Sequence, residues 1–90
     1  MDNSAVFQVE AVKELAVANI YAASFVYCRG VPLITVVTGQ GRSAVFMFDN
    51  ADGIAERTVA EYYEGGLIDG KALHDALRAL KNELDAVRRT

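Results

Sequence analysis

Cysteine, histidine and proline each occur once in this 90-residue chain, as Cys28, His74 and Pro32. One cysteine cannot form an internal disulfide, and among its apolar neighbours Cys28 reads as a buried, reduced thiol. That state fits a reducing cytoplasm. Without a second histidine or cysteine, a metal site at His74 would need several carboxylates as its other ligands. His74 reads instead as a helix-surface residue with no assigned role. A Cys28–His74 nucleophile pair has only Arg29 as a local cation near the thiol, too little to argue for an activated thiolate. The opening MDNSAVFQVE also has no basic stretch leading into an apolar core, so it does not read as a signal peptide. The longest apolar stretch, Leu15 to Cys28, is interrupted by Asn19 and Ser24 and falls short of the ~20 residues a membrane span requires. A soluble, cytoplasmic protein without a membrane partner is expected.

Repeats, low-complexity tracts and linkers are missing too, so residues 1–90 are read as a single domain. What is plentiful is apolar side chain, 52% of the chain. A domain this small has much surface and little interior, so the surplus predicts a shared core and a homo-oligomer, with a dimer favoured. Charged residues make up 23% and the formal net charge is -3, which argues against broad, non-specific nucleic-acid binding.

The clearest local pattern is VPLITVVTGQGRSAVFMFD, residues 31–49, two apolar runs around Gly39-Gln40-Gly41-Arg42. It predicts an antiparallel hairpin of strands 33–38 and 43–49. With Gln40-Gly41 as a two-residue loop, Leu33, Thr35, Val37, Ala44, Phe46 and Phe48 share one face. Ile34, Val36, Thr38, Ser43, Val45 and Met47 then share the other. Both faces are apolar and both call for covering.

Before the hairpin, Phe7-Gln8-Val9-Glu10 and Glu14-Leu15-Ala16-Val17 alternate like short strands, with one long helix over 10–29 as the competing reading. Asn19 favours a helix over 20–29, because it is a strong N-cap directly before an apolar run that Gly30 and Pro32 close. After the hairpin, Asp49-Asn50-Ala51-Asp52 offers caps for a second helix from about Ala51 to Glu64, ended by Gly65-Gly66. Leu67-Ile68 reads as a short extended piece. Asp69 caps a third helix of about twenty residues, where Leu73, Leu77, Leu80, Leu84 and Val87 follow a 4-3-4-3 seam. Packing on the sheet is the first expectation for that seam, and pairing with a second chain is the alternative. The fold class is therefore α+β: an antiparallel sheet on the central hairpin with two to three helices. Its order matches the ferredoxin-like βαββαβ plan plus a C-terminal helix.

Aligning Gly53 as the glycine of an EF-hand loop puts Phe48 and Val59 at ligand positions, so Asp49–Asp52 reads as a cap. Gly39-Gln40-Gly41 opens no helix and so cannot present a helix N-terminus to phosphate. Glu61 and Glu64 read as a solvated helix face. Against the RNA-recognition pattern, Arg42 and Phe46 match, while Ala44 and Asp49 stand where aromatics would stack on bases. Arg78, Lys81, Arg88 and Arg89 form a basic series on the last helix, interrupted by Asp75, Glu83 and Asp85.

The chain resembles a small domain of unknown function found in bacteria and their phages. The likeness rests on Asn19-Ile20-Tyr21-Ala22-Ala23 leading to Gly30, on Val45-Phe46-Met47-Phe48-Asp49, and on Glu61-Tyr62-Tyr63 before Gly65. The closing Leu73 to Lys81 is similar as well. The resemblance implies a bacterial or phage origin and a cap at Asn19; it implies no activity, catalytic residue or cofactor. The expectation is thus a non-enzymatic, self-associating module, with Ile34, Val36, Val45, Met47, Leu73, Leu77, Leu80 and Leu84 as its association surface. The alternative is a nucleic-acid-binding accessory protein contacting its ligand through Arg42, Arg78, Lys81 and Arg88.

Overall fold

The computed structural model describes residues 13–39 and 44–89. In chain order the elements are β1 (Glu14–Val17), α1 (Ile20–Cys28), β2 (Leu33–Thr38), β3 (Ala44–Asp49), α2 (Ile54–Tyr63) and α3 (Gly70–Arg88). The three strands form one antiparallel sheet in the order β1-β3-β2. The expected α+β class is therefore what forms. The alternating Phe7–Glu10 stretch and the Gln40-Gly41 loop lie outside the described residues.

The hairpin pairs one step away from the expected register. Thr38 stands opposite Ala44, Val37 opposite Val45, Val36 opposite Phe46 and Thr35 opposite Met47, while Leu33 stands opposite Phe48. Directly opposed residues share a face. Val36 therefore lies with Phe46, not with Val45 and Met47, and Thr35 and Val37 lie on the other side. The step from Thr35 to Leu33 skips a partner for Ile34, a bulge that restores Leu33 to the face of Phe48. On the far side of β3, Leu15 pairs with Phe48 and Val17 with Phe46.

The helices take their ends from local chemistry. The Asn19 side chain accepts hydrogen bonds from the amides of Tyr21 (2.8 Å) and Ala22 (3.3 Å), as its cap position predicts. Gly30, in the left-handed region, closes α1, with the Val31 amide donating to the Val26 carbonyl at 3.4 Å. Gly65 closes α2 in the same way, and the Gly66 amide reaches the Glu61 carbonyl at 2.9 Å. The Asp69 side chain caps α3 through the Ala72 amide at 3.0 Å.

Helix α2 starts later than Ala51 because Asn50 to Gly53 is spent on a turn, the Gly53 amide donating to the Asn50 carbonyl at 3.0 Å. The buried Asn50 side chain then caps α2 from a distance, accepting from the Glu56 amide at 3.0 Å. Leu67-Ile68 joins no strand among the described residues, so the ferredoxin-like order is not completed. Leu67 is 89% exposed, and only two residues separate Gly66 from the Asp69 cap.

The core lies between the sheet and one layer of helices. Val17, Val36, Phe46 and Phe48 point up from the strands to meet Ala22, Ala23, Val26, Ala55 and Leu80. Five consecutive residues of α1, Ala22 to Val26, are buried, which requires cover on every side. That cover comes from α2 on one flank, α3 on the other and the sheet beneath. The buried Ser24 and Thr58 hydroxyls donate back to the carbonyls of Ile20 and Ile54, both at 2.7 Å, so neither leaves a polar group unpaired. The α3 seam packs within its own chain against α1 and β2, with Leu80 fully buried and Leu84 and Val87 against the core.

Candidate functional site

Among the described residues, one face of the sheet is covered by helices and the other is open. On the open face Ala16, Met47 and Thr35 stand in one row across the strands, and Val45 and Val37 stand in the next. Val37 is 51% exposed and Ile34, at the bulge, 46%; Val45 and Met47 are half-buried. Glu14 opposite Asp49 ends this apolar ladder with two carboxylates.

Of the residues predicted to form an association surface, Ile34, Val45 and Met47 lie at this open face or its edge. Val36 does not: the one-step register places it in the core at 6% exposure. Leu80 is buried outright, and Leu73, Leu77 and Leu84 are half-buried on the inner side of α3. The expected surface therefore divides into an outer sheet patch and an inner helix seam, on opposite sides of the molecule.

A second feature follows the edge of β2 that no other described strand pairs. A groove of about 670 Å³ runs along Gly30 to Val36 and is walled by Tyr27 of α1 and Glu83 and Val87 of α3. Glu83 is its one charged wall residue among the described residues. A smaller groove of about 340 Å³ follows the other edge, between β1 and the Glu56, Val59 and Tyr63 side of α2.

Arg29 ties the helix layer together, and nothing local in the sequence announced it. Its guanidinium meets Glu61 at 2.8 and 3.1 Å, donates to the Leu67 carbonyl at 2.9 Å, and lies 4.5 Å from the centre of the Phe25 ring. Glu61, read as solvated, is thus an ion-pair partner. The Phe25 ring packs on Tyr62 with centroids 5.6 Å apart. Gly66 is pressed into this joint: a Cβ there would come within 2.8 Å of the Glu61 Cγ and 3.0 Å of the Phe25 ring. Both charged groups are partly solvated, so the arrangement is a mechanical joint between α1, α2 and the segment leading to α3.

Arg78, Lys81 and Arg88 are exposed on α3, while Arg42 lies outside the described residues. On the same helix Lys71 and Asp75 pair at 3.0 Å, and this bond and charge hold the Asp75 carboxyl below its ordinary value. His74 is exposed beside it. Among the described residues, no group of three or more histidine, cysteine or carboxylate side chains is placed to hold a metal ion. Likewise, no described helix is long and apolar enough to cross a membrane. No protein-family model, curated protein or solved structure matches this chain.

Proposed function

We propose that this chain is a non-enzymatic interaction module, of bacterial or phage origin, that associates with a second copy of itself through the open sheet face. The observation that carries this reading is the one-sided helix layer. The described helices lie over Val17, Val36, Phe46 and Phe48, while the ladder of Ala16, Thr35, Val37, Val45 and Met47 has no helix over it. Two such faces are self-complementary about a two-fold axis and would pack about 10 Å apart, giving a helix–sheet–sheet–helix sandwich.

The size of the face sets the strength. Three strands about 4.8 Å apart and ~20 Å long present on the order of 300 Å² in projection, below the ~800 Å² per partner of a standard interface. The dimer is therefore weak and concentration-dependent. Size-exclusion chromatography with light scattering from about 10 µM to about 1 mM covers the affinity such an interface allows. The mass of the native chain should rise toward two chains across that range, and Val37→Lys should hold it at one. A native chain that stays at one chain mass throughout would sink the reading.

A further inference from the structure

Among the described residues, the two edges of the sheet are protected unequally. Exposed edge strands are normally blunted by charge, proline, a bulge or short length, because their unpaired amides and carbonyls template pairing with another chain. Strand β1 is four residues long and carries Glu14, preceded by Lys13. Strand β2 is six residues long, reads Leu-Ile-Thr-Val-Val-Thr, and contains no charge. Its bulge lies at Ile34, near the start, and leaves Thr35 to Thr38 as a regular, uncharged edge. Helix α3 stands over that edge and packs on β2, so the strand and the helix enclose the groove of about 670 Å³. An edge strand beside a helix wall is the arrangement that accepts an extended peptide: the strand supplies main-chain bonds, and alternate side chains of the guest enter the groove.

The walls identify the guest. Tyr27, Leu33, Ile34 and Val87 supply apolar surface, and Glu83 the single charge among the described residues. The Glu83 side chain makes no hydrogen bond or ion pair with any described residue. We infer that the β2 edge is a strand-addition site for an extended peptide of a partner protein, with a lysine or arginine opposite Glu83 between apolar side chains. Charge complementarity decides against a second copy of this chain as the occupant. Its own β2 brings no cation, and two-fold pairing of β2 with β2 would set two Glu83 carboxylates on the same side. The site lies at the edge of the sheet and does not depend on association through the open face.

The probe is the synthetic peptide acetyl-Thr-Val-Thr-Lys-Thr-Val-Thr-amide, whose valines and lysine share one face, compared with the same peptide carrying glutamate for lysine. Titrated into the isotope-labelled full chain, the lysine peptide should shift the amide resonances of Leu33–Thr38 and Glu83–Val87. It should bind about tenfold tighter than the glutamate peptide, the size expected when a partly exposed pair changes from attraction to repulsion. Glu83→Lys should reverse that preference, and Glu83→Gln should abolish it. Lysine peptides N-methylated at alternate amides in the two possible phases should behave oppositely, one binding and one silent, because a strand points alternate amides at its neighbour. Absence of shifts with both peptides overturns the proposal, as does a preference that Glu83→Lys leaves unchanged. Shifts at β2 that grow with protein concentration and that neither peptide displaces would put a second copy in the groove and overturn it as well.

Discussion

The inner and outer faces of the sheet are built from the same kinds of residue and meet different fates. Phe46 and Phe48 alternate with Val45 and Met47 along β3, yet the phenylalanines are fully buried while the valine and methionine are only half-covered. Composition does not decide this; helix placement does. Helix α1 is apolar enough to be wrapped on all sides, and α2 and α3 flank it, so the whole helix layer settles over one face. The described residues accordingly form a slab 18 Å through its thinnest dimension, one sheet and one helix layer deep. A small domain whose helices lie on one side leaves apolar surface on the other.

Substitutions on the two faces should separate them sharply. Truncating Phe46 to alanine opens a cavity where the inner face meets α1, and unfolding by urea should show a loss of about 3–5 kcal/mol. A loss below 1 kcal/mol would mean that the inner face is not the core. The joint that holds the helix layer comes next. Gly66→Ala forces a methyl against Phe25 and Glu61, and a destabilisation of about 1–3 kcal/mol is expected from such overpacking. On the outer face Val37→Lys should change stability by no more than about 0.5 kcal/mol, since its side chain is half exposed and lysine suits an edge strand.

The smallest effect belongs to neither face. Asp75 ionises below 3.8 in the folded chain because Lys71 bonds to it, so the pair's contribution is present above pH 3.8. It fades as pH falls through the lowered folded value. Because the carboxyl is fully exposed, the matching drop in the urea midpoint should be slight and should shrink further in salt. Lys71→Met should remove that part of the acid dependence, and an unchanged acid profile would show that the pair is energetically silent.

How much of this could be read beforehand depends on the range of each interaction. Asn19 and Asp69 cap helices within three residues of themselves, and both helices start where those side chains predict. The α3 seam was equally legible, since its 4-3-4-3 spacing has one meaning on a helix. The hairpin was legible as a hairpin but not in its register. Nothing in Leu33-Ile34-Thr35 states that Ile34 goes unpaired, and a one-residue slip moves every later side chain of the strand to the other face. That single ambiguity is why the pattern alone groups Val36 with Val45 and Met47. The Arg29–Glu61 pair was invisible for another reason: 32 residues separate its partners, and only the packing of α1 against α2 brings them together. Asn50 is one of the caps that Asp49–Asp52 offers, but the pattern does not say which amide it takes, because it acts across a turn on an amide six residues away.

The bulge at Ile34 also acts as a length buffer. On its two sides Leu33 and Val36 both reach the core, three positions apart, so the strand has already absorbed one residue more than its neighbour. Losing a residue there would remove the bulge and leave Leu33 and Val36 in the alternation of an unbroken strand. The same loss in β3, which is paired along both sides, would turn Phe46 or Phe48 out into water. Among the strands of this sheet, β2 is where the chain can change length and keep its fold.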